Sequence, residues 1–337
     1  MCLIPIVSAA TETDVEDNVS TKYSPALQRL YVAMQAGPHE IETTAPTGEL
    51  RGWGFEGFDG LLYKFFEKRE FVTEQPYALL EYACGTGRWS ANAVLQAEMD
   101  GVSLNVKTFD PFMQPEHAEY YNQAWSRYVL DNGSSHGSLL VSQGWLKDAQ
   151  LAATDKFNGM LVRDAIHLFS DEQVVELFQL GAALTDENGS IVVRGTPPFA
   201  TMLWSPKVQI FLITQGLTPP NFGEILFNES NYKAYTEMAA QNIPGVIGQM
   251  NTKSVCLPAI RNAAEANGWW LQAIQVGTTV MTHKKPLTEE ELYTFVSTQV
   301  QKYKPKPEEF NLDYVPEDPG IILRFKKTPS ARPTETE

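Results

Sequence analysis

Leu79-Leu80-Glu81-Tyr82-Ala83-Cys84-Gly85-Thr86-Gly87-Arg88 is the stretch that decides how this chain is read. The apolar run from Tyr77 to Tyr82 predicts a short strand that delivers an acidic residue. A small-Cys-Gly-Thr-Gly turn follows, and residues 89–99 continue at helical spacing. Glycines in such a turn let the backbone reverse sharply and let a ligand touch it, while the helix start behind them offers free amides. A carboxylate at the strand end suits hydroxyl or ammonium donors better than a phosphate. The Gly-x-Gly-x-x-Gly spacing of dinucleotide sites is absent, because position 90 is Ser, and so is the Gly-Lys-Ser/Thr end of a P-loop.

The same rhythm extends downstream. Residues 103–109, 138–142, 159–162 and 190–194 read as strands, with helices over 117–130 and 171–183 between them. This alternation predicts an α/β fold with a parallel sheet covered on both faces. Residues 196–250 break it, being rich in aromatics, proline and small polar residues without a clean period. The pattern resumes with a helix over 257–267, a strand over 270–276, an amphipathic helix over 288–303 and a last strand over 320–326. Upstream, Ser24-Pro25 opens a helix on Leu27, Leu30, Tyr31 and Met34 that Gly37-Pro38 stops, and residues 59–71 predict a second amphipathic helix.

Composition narrows the function classes. The 337 residues are 43% hydrophobic and 20% charged, a globular balance. Twenty-six basic against 41 acidic residues leave a net charge of −15. The densest basic stretch (Lys302, Lys304, Lys306) runs straight into Glu308 and Glu309, which argues against nucleic-acid binding. Cys2, Cys84 and Cys256 are too few and scattered for a disulfide framework or a zinc site. The apolar start, residues 1–10, lacks a basic n-region, and no apolar run reaches the roughly 18 residues that a bilayer span needs. These features predict a cytoplasmic chain with no membrane partner and no metal.

The quoted stretch resembles motif I of the class I S-adenosylmethionine-dependent methyltransferases, a strand–acid–glycine-loop–helix unit that holds the methionine portion of the cofactor. The family's first loop glycine is Ala83 here. One βα unit later, Val106-Lys107-Thr108-Phe109-Asp110 is a strand ending in an acid, which the resemblance assigns to the ribose hydroxyls. Pro111 and Phe112 stand where the family places apolar residues against the adenine. Leu140-Val141-Ser142-Gln143-Gly144-Trp145 aligns with a strand that often ends in Gly-Asp in the family. Trp145 replaces that Asp, so the adenine contact falls to stacking, to Gln143 or to Asp148.

Residues 157–171 resemble the family's motif IV, with Asn158 in place of the usual Asp. Within them, Ile166-His167-Leu168-Phe169-Ser170-Asp171 is similar to a pattern of small-molecule methyltransferases. The Asp/Asn-Pro-Pro-Tyr/Phe signature of amino-group DNA and protein-glutamine methyltransferases is absent. The resemblance covers residues 75–195 well and 255–326 loosely. It implies a doubly wound, seven-stranded, mostly parallel, Rossmann-like sheet with a helical cap and an antiparallel last strand. The expected division is a leader with cap helices (1–74), a cofactor-binding core (75–195), a cap insertion (196–254), the remaining core (255–327) and a disordered tail (328–337).

The cofactor implied is S-adenosylmethionine, held by Glu81, Ala83, Gly85, Thr86, Gly87, Asp110, Pro111, Phe112, Gly144, Trp145 and Arg163. His167 is the candidate general base, since imidazole takes up protons near neutrality, and Asp164 is the second catalytic candidate. Each also reads as a loop-orienting or turn residue. His39, His117 and His136 have no partner pattern and read as surface or cap residues. Trp53, Phe55, Phe58 and Tyr63, with Phe199, Trp204, Phe211, Phe222 and Tyr232, suggest a roof over a hydrophobic small-molecule substrate, or an ordinary core between cap helices.

The function expected is methyl transfer to a hydrophobic metabolite, of secondary metabolism, at O or N. One alternative keeps the fold and makes a cyclase or pericyclase in which the cofactor is structural or electrostatic. Another is a non-enzymatic methyltransferase-like regulator. The helix over 288–303 supports a homodimer as readily as packing on its own domain.

Overall fold

The computed structural model describes residues 23–37, 76–149, 151, 156–163, 165–166, 169–195, 214, 227–228, 230–231, 256–277, 279–302 and 321–328. The expected helix over 59–71, the leader, nearly all of the cap insertion and its aromatic roof, and most of the tail lie outside them.

Among the described residues the chain runs α1 (Pro25–Ala36), β1 (Tyr77–Tyr82), α2 (Arg88–Met99), β2 (Leu104–Asp110), α3 (Pro115–Asn132) and β3 (Ser138–Gln143). It continues with β4 (Phe157–Arg163), α4 (Asp171–Leu184), β5 (Thr185–Gly195), α5 (Leu257–Ala266), β6 (Trp269–Val276), β7 (Thr279–Thr282), α6 (Glu289–Gln301) and β8 (Ile321–Lys327). The strands form one eight-stranded sheet in the order β3-β2-β1-β4-β5-β8-β6-β7.

The expectation of seven strands is corrected to eight, in a mixed sheet. The pairs β1/β4, β2/β3 and β4/β5 are parallel, whereas β5/β8, β8/β6 and β6/β7 are antiparallel. The additional strand is β7, a four-residue edge that turns back on β6 after Gly277, where φ is +56°. The antiparallel last strand is as the resemblance implied. Strand order reverses beside β1, where the chain leaves β3 at one edge and returns as β4 on β1's other side. In open α/β sheets the carboxyl ends of strands at such a reversal are where ligands bind.

The described chain divides into two compact units. The first comprises residues up to 78 and 84–145, and so holds α1, α2, α3, β2 and β3. Ser24 caps α1 by accepting from the Leu27 amide, and Pro25 occupies its first turn, where a missing N–H costs nothing. Leu27, Leu30 and Met34 bury one face of α1, which packs on α2 and α3. Tyr120 Oη donates to the Ala33 carbonyl at 2.8 Å, and Arg29 pairs with Asp131 at 2.7 Å. His117, expected as a surface or cap residue, is buried on α3, because it falls on the same helical face as Tyr121, Trp125 and Tyr128. Burial holds its imidazole below the usual range.

The second unit comprises residues 79–83 and 146–337, with most of β1 and all of β4–β8. The central runs Met160-Leu161-Val162 and Ile191-Val192-Val193 are buried on both faces, as strands inside a layered fold must be. Phe178 of α4 meets Phe325 of β8 edge-on, with ring centroids 5.0 Å apart, and the Trp269 indole N–H donates to the Phe178 carbonyl at 3.1 Å. A Cβ on Gly181 would stand 2.3 Å from Ile191 Cδ1, so glycine sets how closely α4 approaches β5. Ser170 with Gln173 and Thr288 with Glu291 form capping boxes that start α4 and α6. Among the described residues no helix is long and apolar enough to cross a membrane.

Candidate functional site

The turn after β1 is built on backbone conformations that few residues adopt. Gly85 and Gly87 have φ of +62° and +78°, and the Gly87 amide closes the turn on the Cys84 carbonyl at 3.2 Å. Gly87 is also the N-cap of α2, so no side chain stands at that end of the helix. A Cβ on Gly87 would lie 2.8 Å from Val141 Cγ1, which makes glycine obligatory there. A Cβ on Gly85 would meet nothing within 4 Å. The exposed Gly85 therefore faces open space, while the buried Gly87 seats the turn on β3. Thr86 between them is half-buried.

Asp110, the last residue of β2, reaches this turn. Its Oδ2 accepts from the Gly85 amide at 2.8 Å and its Oδ1 from the Phe112 amide at 2.7 Å, and the Met113 backbone also bonds to the carboxylate. Asp110 is 6% exposed, and burial pushes its carboxyl above the usual range, against the downward pull of these amides. Its own carbonyl accepts from the Gly144 amide at 3.0 Å, which ties the carboxyl end of β3 to that of β2. Gly144 takes a φ of +142° to make this bond.

Phe112 follows on the half-buried Pro111 and is 85% exposed, an unusual place for a large apolar ring. Its ring stands edge-on to Trp145 with centroids 5.9 Å apart. Gly85, Thr86, Gly87, Asp110, Pro111, Phe112, Gly144 and Trp145 all belong to the first unit. An oriented carboxylate, an open face beside Gly85 and two aromatic rings can together recognise a ligand that carries hydroxyls and a flat ring.

The other expected residues belong to the second unit. Ala83, which stands at the family's first loop glycine, has a φ of +57°, so the backbone keeps a conformation that costs an alanine roughly 1–2 kcal/mol. Glu81 is fully buried and pairs with Arg163 Nε at 3.6 Å. Leu161 is opposite Glu81 in register and Arg194 opposite Arg163, so Glu81, Arg163 and Arg194 share one face of the sheet. Asp164 and His167 lie outside the described residues.

Sequence reading missed three contributors. Met113 lies one residue past the quoted acid and was legible in principle, since an aspartate commonly accepts from amides just ahead of it. Arg194 and Val141 read only as strand residues, because cross-strand neighbours leave no local pattern.

No protein-family model matches the chain, and no curated protein matches it in sequence. Among solved structures it is similar to the cyclopropane synthase MmaA2 from Mycobacterium tuberculosis, at 12% identity over 81% of this chain and 88% of that one, with a TM-score of 0.42. It is also similar to an S-adenosylmethionine-dependent methyltransferase from Archaeoglobus fulgidus, at 12% identity over 81% and 96% of the two chains and a TM-score of 0.40. A third likeness is to magnesium protoporphyrin IX methyltransferase (ChlM) from Synechocystis PCC 6803 with bound SAH, at 12% identity over 80% and 81% and a TM-score of 0.40. With identities and TM-scores this low, the reading of the site rests on its own residues.

Proposed function

We propose that the chain is a methyltransferase that uses S-adenosylmethionine and acts on a hydrophobic small molecule, at oxygen or nitrogen. The observation that carries this reading is the hydrogen bond from the Gly85 amide to Asp110 Oδ2, at the edge of the open space beside Gly85. It brings the glycine turn and an oriented acid to one place at the carboxyl end of β2.

The residues fit the cofactor. A carboxylate has about four acceptor positions, and the amides of Gly85, Phe112 and Met113 use three, so one suits a ribose hydroxyl. The turn of Gly85, Thr86 and Gly87 would seat the methionine portion against its backbone, with the carboxylate favoured by the start of α2. Phe112 and Trp145 offer flat apolar surface to the adenine and stand in for the acid the family often places there. Glu81 and Arg163 serve as an internal ion pair that stiffens the strand end feeding Ala83 and the turn.

When bound, S-adenosylmethionine supplies an electrophilic methyl carbon. The protein's share is in-line positioning, exclusion of water and removal of one proton from a hydroxyl or amine acceptor. We assign that proton to His167, with Asp164 as the second catalytic candidate. A roof of the cap aromatics, a place in secondary metabolism, the division into core, cap insertion and tail, a homodimer and a cytoplasmic site complete the proposal. It is tested by incubating the protein with methyl-deuterated S-adenosylmethionine and a panel of hydrophobic hydroxyl and amine compounds. Mass spectrometry then reads whether a product gains a labelled methyl group. A product of unchanged mass would instead establish the cyclase reading.

A further inference from the structure

Strand β3 is an edge of the sheet, and an edge strand carries backbone groups with no neighbouring strand to satisfy them. At Val141 both groups are taken by one side chain of α3. Asn122 Nδ2 donates to the Val141 carbonyl at 2.8 Å, and the Val141 amide donates to Asn122 Oδ1 at 2.9 Å. A side-chain amide is the one neutral group that presents a donor and an acceptor side by side, as a paired strand would. The two bonds fix both the orientation of the Asn122 amide and the depth at which Val141 sits.

Val141 is 2% exposed, pairs with Thr108 of β2, and also lies against the turn. Its Cγ1 would stand 2.8 Å from a Cβ on Gly87, so the Gly87 backbone rests directly against this methyl. Gly87 closes the turn on the Cys84 carbonyl, and two residues back the Gly85 amide meets Asp110. An unbroken set of contacts therefore runs from Asn122 through Val141 and Gly87 to the Gly85–Asp110 bond. All of these residues belong to the first unit.

We infer that Asn122, which touches neither the turn nor Asp110, is a positioning residue for the ligand-binding turn, setting through Val141 where Gly85 and Gly87 stand. The role assigned to the turn rests on the function proposed above; the bracing itself does not. Loss of the Asn122 amide leaves the Val141 carbonyl and amide without their partner, so the edge strand shifts and the glycine turn loses its backstop.

The test compares the full-length protein with Asn122→Asp, which keeps an acceptor for the Val141 amide but cannot donate, and with Asn122→Leu, which removes both bonds. Val141→Ala reaches the same turn by removing both γ-methyls and leaving the hydrogen bonds. Two quantities are read well below the melting temperature: amide hydrogen exchange of peptides covering 83–89 without ligand, and S-adenosylhomocysteine affinity by calorimetry. We expect about tenfold faster exchange of the turn and about tenfold weaker affinity in all three variants, with exchange in β4 and β5 unchanged. A variant that only melts earlier, with turn exchange and affinity as in the parent, overturns the inference. If the parent binds no S-adenosylhomocysteine, the proposed function fails while turn exchange still decides the bracing. If Asn122→Leu does not fold, Asn122→Asp and Val141→Ala decide it.

Discussion

Asp110 Oδ2 accepts a hydrogen bond from the Gly85 amide at 2.8 Å, joining residues 25 apart in sequence. This bond joins a strand-end acid and a glycine turn, each common alone, into one feature. The carboxylate is also held by the Phe112 and Met113 amides, so its direction is set before anything binds.

Asp110→Ala removes the acceptor and leaves those amides to water. Hydrogen bonds to a charged group contribute roughly 1.5–3 kcal/mol each, so S-adenosylhomocysteine affinity should fall by about a hundredfold in calorimetry. The pH dependence has a definite sign. Burial raises the folded-state pKa of Asp110 above its ordinary value, so the folded chain holds this proton more tightly than the unfolded chain. Asp110 therefore contributes most to stability below the ordinary carboxylate range and loses that contribution as pH rises through the folded value. The urea midpoint of the parent minus that of Asp110→Ala should shrink as pH rises from strongly to mildly acidic. A difference that grows over that interval would contradict the assignment.

The two glycines should separate fold from ligand. Gly87→Ala forces a Cβ to 2.8 Å from Val141 Cγ1 at a φ of +78°, and should cost roughly 2–3 kcal/mol of stability. Gly85→Ala meets no atom within 4 Å and pays only for its φ of +62°, about 1–2 kcal/mol. Its methyl nevertheless enters the space proposed for the ligand. Chemical denaturation should rank Gly87→Ala as the more damaged fold, while calorimetry should show binding lost in both.

Ala83→Gly should stabilise the protein. Glycine relieves the left-handed strain at φ +57°, and its greater freedom in the unfolded chain offsets part of the gain. The net effect should be about 0.5–1 kcal/mol, or roughly 1 °C in Tm. A lower Tm would show that the methyl of Ala83 has a packing role that outweighs the strain.

Much of this was legible in the sequence, and the reasons differ element by element. The strand–turn–helix around Gly85 stood out because glycine punctuates an apolar run, and Asp110 because it ends the next strand at the right interval. Strand β7 did not, since four half-exposed residues carry no periodic signal. Residues 186–189, outside the predicted strand over 190–194, belong to β5 as extra residues facing the irregularity between Phe157 and Gly159, a pairing no local pattern encodes. The brace from Asn122 to Val141 was invisible, because an asparagine inside a helix gives no hint of the strand edge it serves.

Phe112→Ala offers a complementary contrast. A ring 85% exposed contributes little to folding, so Tm should stay within about 1 °C of the parent, on the scale of ordinary surface substitutions. If the ring faces adenine, S-adenosylhomocysteine affinity should still drop about fivefold to tenfold, as expected for an aromatic contact. Trp145 emission should respond to S-adenosylhomocysteine in the parent, because Trp145 lies against Phe112.

Tyr121 gives a test of the first unit's core at high pH. It is fully buried on α3, and burial pushes its phenol up to about 12 from an ordinary 10.0. The unfolded chain loses this proton first, so the contribution of Tyr121 is intact below pH 10.0 and is lost as pH rises toward about 12. Holding the phenol at about 12 corresponds to roughly 3 kcal/mol. Tyr121→Phe should therefore lose less stability than the parent over that alkaline interval when urea midpoints are compared.

The most direct measurement is a crystal structure of the protein soaked with S-adenosylhomocysteine. The account predicts density with the ribose hydroxyls against Asp110, the amino-acid end over Gly85 and Gly87, and the adenine beside Phe112 and Trp145. Density at another place, or none at saturating ligand, would contradict it.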